Sequence, residues 1–277
     1  MNILFLNHNP ERYGTYFRCY HLGRHLADRG HNVTLVCASR EATLRTTERK
    51  EGGLRIRFLP RINLATYHTG HTLRMVLNTH ECLRTPMDIL HSFAFPLHPI
   101  SFPTLVTSLL KPRVKIVLDH DDMWKGGFID QHPAPVRLLY NFTEDHLPRL
   151  AHQATAAKYK SIIHPTANLN GKFRDAGLPA DKLPYIPNCP TIRLDMPPKA
   201  EARAALRLAP QDKVLLSMGH TYTESLFALL DAYAVARESL PGLKLLFLGK
   251  MHISDAFNAR MKPYEERFGP DIVKIGE

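Results

Sequence analysis

Residues 26–36, LADRGHNVTLV, join the end of a helical pattern to the start of a buried strand, and this junction decides the fold class. Gly30 suits the C′ position that ends a helix, and the apolar run at 33–37 follows it. Another apolar run, at 2–6, precedes the helix. The helix face is indicated by residues at offsets of 0, 3, 4, 7 and 11, which are Tyr16, Cys19, Tyr20, Gly23 and Ala27. Together they predict a βαβ unit whose strands are covered on both faces.

Strand and helix patterns keep alternating along the chain. Further strands are predicted at 55–59, 88–91 and 114–118, with weaker ones at 154–157 and 185–186. Helices are predicted at 73–83 and in a segment that Pro96, Pro99 and Pro103 interrupt before it resumes as a helix to Leu110. This alternation predicts an α/β fold with a Rossmann-like, doubly wound parallel sheet.

A proline-rich stretch divides the chain into two predicted domains. Residues 187–200 contain four prolines and are typical of a linker. Beyond them, strands at 214–218 and 243–248, a helix at 225–240 and a strand from 272 start a second βαβ pattern. We therefore expect an N-terminal domain at 1–190 and a second, incomplete Rossmann-like domain at 191–277.

The net charge limits the classes of partner. Lysine and arginine exceed aspartate and glutamate by 36 − 26 = +10, which favours anionic partners. No nucleic-acid motif accompanies this charge, so we predict no nucleic-acid partner. The basic stretch 40–61 has two interpretations, a contact with acidic headgroups or a solvated face. Four scattered cysteines argue against a zinc site.

Localisation is predicted from the N-terminus and from the length of the apolar stretches. We find no signal peptide and no apolar stretch of 18 residues, so a cytoplasmic protein is predicted. Peripheral contact with the inner membrane face is a hypothesis that rests on the net charge and on the apolar segment 93–110.

Polar stretches after predicted strands are candidate binding sites, because parallel α/β sheets bind ligands at the carboxyl ends of their strands. Gly14 and Thr15 follow the first strand, at a helix N-terminus that favours an anion. The alternative is a turn glycine with Thr15 as N-cap. Gly219 and His220 follow the strand at 214–218 and offer the same two interpretations, a phosphate contact or a plain turn.

The most conspicuous cluster is Asp119-His120-Asp121-Asp122, directly after the apolar run 114–118. A histidine flanked by carboxylates can act as a base whose orientation and pKa its neighbours set. Alternatively, Asp121 or Asp122 caps a helix and Asp119 holds a loop. The position of the cluster at the end of a predicted strand favours His120 as the functional group, with Asp119 and Asp122 as loop and cap residues.

Several segments in order resemble a glycosyltransferase of the GT-B fold, from the large group similar to glycosyltransferase family 4. Residues 26–33 resemble the family pattern Leu-x-x-Arg-Gly-His-x-Val, and 88–92 resemble the strand Asp-Ile-(Ile/Val)-His-x-His. Residues 184–188, PYIPN, resemble the segment that closes the acceptor domain, with Cys189 where glycine is usual. Residues 214–249 resemble the first half of the donor domain.

The resemblance implies transfer of a sugar from a nucleotide-sugar donor to a sugar, a lipid-linked or another small-molecule acceptor on the N-terminal domain, with retention of configuration. It implies no cofactor and no obligatory metal. His120, with Asp121 as the adjacent alternative, would face the reacting sugar. The substrate-binding residues would be Gly14, Thr15, Arg18, Asn188, Gly219, His220 and Lys250.

The chain departs from the family pattern in the donor half. His220 and residues 223–225 occupy the region where the family usually offers an arginine and a Lys-Gly pair to the leaving diphosphate, so Lys250 is a substitute cation. The Glu-x7-Glu segment is expected beyond residue 277. The alternative function is therefore a non-catalytic GT-B-like partner or regulatory subunit without a complete donor site.

Overall fold

A computed structural model describes residues 1–61, 67–94, 97–120, 134–135, 137–138, 142, 159–163, 196–218, 223–248 and 255–275. The chain divides into two units, Met1–Ile192 and Arg193–Glu277. This division falls two residues after the predicted end of the first domain at residue 190.

The predicted βαβ unit opens the first domain. Strand β1 (Asn2–Pro10), helix α1 (Tyr16–Asp28) and strand β2 (Asn32–Ala38) follow one another, and the two strands pair in parallel. Helix α1 ends as expected, since Gly30 has a φ of +84° and its N–H donates to the carbonyl of Ala27 at 2.9 Å. Strand β1 runs further than predicted, because residues 7–10 continue as strand.

The remaining described elements of this domain extend one sheet. They are β3 (Thr47–Glu51), β4 (Leu54–Leu59), α2 (Tyr67–Arg84), β5 (Ile89–Phe93), α3 (His98–Leu110), β6 (Lys115–His120) and β7 (Tyr159–Ile163). The sheet order is β3-β4-β2-β1-β5-β6-β7, and only β3 pairs antiparallel to its neighbour. The doubly wound parallel sheet is thus confirmed. The edge strand β3 and strand β7 were not predicted, and the weak strands at 154–157 and 185–186 lie outside the described residues.

Two hydrophobic cores cover the two faces of this sheet. On one face, α1 packs through Tyr16, Cys19 and Ala27 against apolar side chains of the strands. On the other face, Cys82 of α2 and Ile100 of α3 pack against the alternate side chains of the same strands. Side chains of successive strand residues point to opposite faces, so continuous apolar runs are what this architecture requires.

Helix α3 corrects the expectation that prolines interrupt this segment. Pro99 lies in the first turn, where a missing N–H costs no hydrogen bond, and Pro103 lies inside the helix. Pro103 cannot donate to the carbonyl four residues before it, which belongs to Pro99. The Asn78 side-chain amide of α2 donates to that carbonyl instead, at 2.7 Å. The helix therefore continues through Pro103 with the acceptor satisfied.

The second domain contains a short parallel sheet. Its described elements are α4 (Lys199–Ala205), β8 (Lys213–Met218), α5 (Thr223–Ser239), β9 (Leu243–Leu248), α6 (Asp255–Phe268) and β10 (Ile272–Ile275), with strand order β10-β9-β8. Phe227 and Tyr233 of α5 pack with Met261 of α6 in one core. The predicted strand at 214–218 is present as β8, and its Leu216 and Met218 are exposed.

Candidate functional site

The end of β1 and the loop that follows it are tightly hydrogen-bonded at the carboxyl edge of the sheet. The Asn7 side chain accepts from the Asn9 N–H at 3.2 Å and donates to the Asn9 carbonyl at 3.0 Å. The backbone then turns through Arg12 and Gly14, whose φ angles are +62° and +45°. Local hydrogen bonds of this kind define the path of a loop without help from a ligand.

Gly14 is required by its own backbone and by a neighbour. A Cβ at this position would lie 2.4 Å from Nδ2 of Asn9, and the positive φ is costly for any other residue. Thr15 occupies the N-cap position of α1, but its side chain makes no capping hydrogen bond. The glycine thus has a structural reason to be present, and the predicted contact of Gly14 and Thr15 with a ligand stays a prediction.

Arg18, one turn into α1, forms a buried ion pair with Asp119 near the end of β6. Its Nε and Nη2 atoms both lie 3.0 Å from Oδ2 of Asp119. The exposed fractions of the two side chains are 9% and 1%. Charge-assisted hydrogen bonds of this kind are strong where water is excluded. Arg18, predicted to bind substrate, is therefore engaged with Asp119, and its role toward a substrate stays a prediction.

His91 of β5 is the second partner of Asp119. Its Nε2 lies 3.2 Å from the same Oδ2 atom, and its ring stacks on Phe93 with centroids 4.0 Å apart. Phe5 contacts the ring edge-on at 5.0 Å. The aromatic contacts hold the imidazole plane, and the carboxylate holds one of its nitrogens. Arg18, His91 and Asp119 form what we call the Asp119 network.

Asp119 is the centre of this network and not the loop residue that the sequence predicted. It lies in β6, opposite Phe93 of β5, and is fully buried. Its second oxygen, Oδ1, has no hydrogen-bond partner in the part of the chain that the structure describes. The loop interpretation was wrong because the strand extends two residues beyond the apolar run, through His120.

His120 ends β6, where its backbone is opposite Ile163 of β7. The structure thus places it at the carboxyl edge of the sheet, directly after Asp119. The orientation of its side chain lies outside what the structure describes. Several other predicted residues lie entirely outside the described ranges, namely Asp121, Asp122, Asn188, Gly219, His220 and Lys250. Among the described residues, no group of three or more His, Cys, Asp or Glu side chains could hold a metal ion.

Arg74 of α2 is a further charged group at this edge of the sheet. Only 7% of the residue is exposed, and its Nη2 donates to the backbone carbonyl of Asn7 at 3.2 Å. Burial lowers the pKa of Arg74 to about 10. Nearby, burial raises the pKa of the Cys37 thiol to about 12, so this thiol is neutral at pH 7.

Sequence reasoning missed His91 and Arg74 as members of this edge, and it assigned Asp119 to a loop. His91 is in the strand motif 88–92, where a histidine inside an apolar strand signals a buried polar partner. The buried position of Asp119 follows only from the structure, in which β6 extends through this residue. Arg74 carries no sequence signal, because an arginine within a helical pattern is normally exposed.

Three of the seven cations in the basic stretch 40–61 form ion pairs with described residues of the protein. Arg49 forms ion pairs with Glu11 and Glu51, and Arg57 contacts Glu81 at 3.0 Å. Arg55 and Arg57 also lie within ion-pair distance of Glu48. Much of the stretch is the β3–β4 hairpin, and these pairs favour the solvated face over an acidic-headgroup contact.

The solved structures that resemble this chain include glycosyltransferases of the GT-B fold. Sucrose-phosphate synthase from Thermosynechococcus elongatus is 14% identical with a TM-score of 0.64, over 100% of this chain and 70% of that one. WaaG, a glycosyltransferase involved in lipopolysaccharide biosynthesis, is 14% identical with a TM-score of 0.64, over 99% of this chain and 69% of that one. Anabaena HepE, solved with UDP and glucose, is 14% identical with a TM-score of 0.57, over 99% of this chain and 68% of that one.

The fold described above is therefore the GT-B fold. The family described as glycosyl transferase 4-like domain matches residues 14–189, and the chain belongs to this family. The matched range begins at Gly14 and contains all three residues of the Asp119 network. Among curated proteins, none matches this chain. None of the described helices is both long and apolar enough to cross a membrane.

Proposed function

We propose that this chain transfers a sugar, with retention of configuration, from a nucleotide-sugar donor to an acceptor bound by the N-terminal domain. The acceptor is a sugar, a lipid-linked or another small molecule. The family supports the transfer reaction. The Anabaena structure with UDP and glucose supports a nucleotide-sugar donor, since that protein has the same fold.

The Asp119 network is the observation that carries the proposal. It joins α1, β5 and β6 at the carboxyl edge of the sheet, where parallel α/β sheets bind ligands. A buried ion pair and a stacked imidazole hold Asp119, so the chain leaves β6 at a defined position. His120 and Asp121 are the next two residues in the sequence. Precise positioning of a reacting group is itself a large part of catalysis.

In this proposal His120 faces the reacting sugar, with Asp121 as the adjacent alternative. Gly14 and Thr15 lie near the donor diphosphate and the acceptor. Gly219, His220 and Lys250 stabilise the charge that develops on the leaving diphosphate, without a bound metal or another cofactor. Asn188, in the segment that resembles the end of the acceptor domain, is a further substrate-binding residue.

Calorimetry with UDP and GDP, followed by assays of nucleotide-sugar hydrolysis and transfer, tests the proposal. We expect one nucleotide to bind, and we expect His120→Ala to lower turnover by about 10²–10⁴-fold, the range for loss of an acid–base group. His25→Ala is the matched control, because His25 is an exposed residue of α1. Unchanged turnover in His120→Ala would refute the role of His120. Absence of binding by both nucleotides would favour the non-catalytic partner instead.

A further inference from the structure

The Arg74 guanidinium is buried, and the described part of the chain gives it no counter-ion. Three charged residues of the described chain are buried, namely Arg74, Glu81 and Asp119. Glu81 pairs with Arg57 and Arg84, and Asp119 pairs with Arg18. No aspartate or glutamate of the described residues forms an ion pair with Arg74, and its Nε has no hydrogen-bond partner there.

An unpaired buried cation is unfavourable, because desolvation removes its water and nothing replaces the lost charge stabilisation. The neighbours of Arg74 do not offset this cost. The Cys37 thiol is neutral, and Arg61 is a second cation close enough to lower the pKa of Arg74. Arg61 itself donates to the backbone carbonyl of Arg40 at 2.7 Å. Both guanidiniums thus bind carbonyl oxygens and leave a local excess of positive charge.

The position of this charge is at the ligand-binding edge of the sheet. Asn7, which Arg74 contacts, is next to the loop that leads to Gly14, and Cys37 is near the end of β2. Arg61 follows β4. All three strands are parallel and therefore end at the same edge, the one that carries the Asp119 network.

The geometry points to an anion subsite at Arg74, at which the acceptor is bound through a phosphate or carboxylate group. A guanidinium is suited to both groups, since its planar donors match two acceptor oxygens. This inference rests on the proposed function, which places the acceptor on the N-terminal domain. It narrows the acceptor to anionic molecules.

Thermal unfolding of the full chain in sodium phosphate, sodium acetate and sodium chloride at equal ionic strength tests the subsite. We expect the Tm of the wild type to rise with phosphate or acetate relative to chloride, and the more effective of the two identifies the class of anion. R74Q should lose this rise. Without the anion its Tm should equal or exceed that of the wild type, because a neutral side chain replaces an unpaired charge.

R29Q is the matched control, since it removes the same charge from an exposed arginine after α1, at the opposite edge of the sheet. It should respond to the anions as the wild type does. Should R74Q not fold, R74K retains the charge without the planar fork, and its anion affinity should fall by about tenfold. An unchanged anion response in R74Q or R74K, or no response in the wild type, overturns the subsite.

Calorimetry with UDP and GDP separates this inference from the proposed function. Nucleotide binding that persists in R74Q, together with loss of the phosphate or acetate response, supports an acceptor subsite. Loss of nucleotide binding in R74Q assigns Arg74 to the donor and overturns the acceptor assignment. If neither nucleotide binds the wild type while the Arg74-dependent response remains, the proposed function fails and the anion site stands.

Discussion

At the scale of single residues, the Asp119 carboxylate stands out because one oxygen serves two partners. Oδ2 accepts a hydrogen bond from Nε of Arg18 and also lies close to Nη2 of Arg18 and Nε2 of His91, whereas Oδ1 has no hydrogen-bond partner in the described chain. Removing one member of a buried pair leaves the other charge uncompensated, which costs more than the pair contributes. The network should therefore respond sharply to single substitutions and mildly to paired ones.

We expect Asp119→Asn to lower the free energy of unfolding by about 3–5 kcal/mol, because it leaves the Arg18 guanidinium buried without its counter-ion. Combining it with Arg18→Met should recover part of this loss, and urea unfolding of the single and double variants measures the coupling. The exposed pair Arg267–Glu238 is the control, and its coupling should be only about 0.2–1 kcal/mol. Strict additivity of Asp119→Asn and Arg18→Met would contradict the ion pair.

Gly14 and Gly30 offer a matched pair of substitutions to alanine. Both residues have positive φ, but only at Gly14 would a Cβ meet another atom within 4 Å. Gly30→Ala should cost about 1–2 kcal/mol for the backbone alone. Gly14→Ala should cost about 2–5 kcal/mol, because overlap with the Asn9 amide adds to the backbone term. Urea unfolding measures both.

The Asn9 overlap can be isolated in a double variant. If the amide is the obstacle, Asn9→Ala with Gly14→Ala should be more stable than the sum of the two single variants predicts. Equal losses for Gly14→Ala and Gly30→Ala would show that the collision does not exist.

At the scale of elements, α3 shows how a helix accommodates an internal proline. The carbonyl that Pro103 leaves without its usual donor accepts from Asn78 of α2. This contact is between two helices on the same face of the sheet, so it also sets their mutual position. The compensation explains why the segment is one helix although its sequence predicts an interruption.

Asn78→Ala should destabilise the protein by about 1–3 kcal/mol, because the buried carbonyl of Pro99 loses its donor. In a Pro103→Ala background the same change should cost clearly less, since residue 103 then supplies the N–H of a regular helix. Chemical denaturation of the wild type, the two single variants and the double variant measures the cost of Asn78→Ala in both backgrounds. An identical cost of Asn78→Ala in both backgrounds would disprove the compensation.

The parallel strands were predictable, but the details at their ends were not. Strands β1, β2, β5 and β6 follow from apolar runs, because both faces of the sheet are covered. The edge strand β3 has no such run, since its residues are charged and exposed. Asp119 and His120 extend β6 because the neighbouring strands pair with them, and a pattern read along the chain contains no information on that pairing.

The candidate site was likewise predictable from the sequence only in part. The cluster at 119–122 could be recognised from sequence, because carboxylates and a histidine directly after a buried run are unusual. Its partners Arg18 and His91 are 101 and 28 residues away along the chain, so only the folded sheet brings them to Asp119. Arg74 was unpredictable for the same reason, as its burial depends on packing over the end of β1.

At the scale of the whole molecule, only part of the apolar segment 93–110 is exposed and available for membrane contact. Phe93, Leu97 and Ile100 are core residues, whereas Phe102, Leu109 and Leu110 of α3 are exposed. The exposed three share one side of the helix, at helical spacing. The net charge of +10 is the other basis of the hypothesis.

If the hypothesis holds, the protein should co-sediment with anionic vesicles at low salt and be released as salt is raised, because counter-ions screen the attraction. Phe102→Ser with Leu109→Ser should weaken this binding. Leu44→Ser, which changes an exposed leucine outside α3, should leave it unchanged. No co-sedimentation at low salt would remove the hypothesis.

The strand β3 has a consequence for how copies of this protein behave together. It ends the large sheet, and residues 47–51 carry two glutamates, an arginine and a lysine that are mostly exposed. An uncovered sheet border normally invites strand addition from another chain and, with it, aggregation. Charges along the border oppose such addition, because pairing with a further strand would bury and partly desolvate them. β3 thus keeps a large, apolar-cored sheet from growing between molecules.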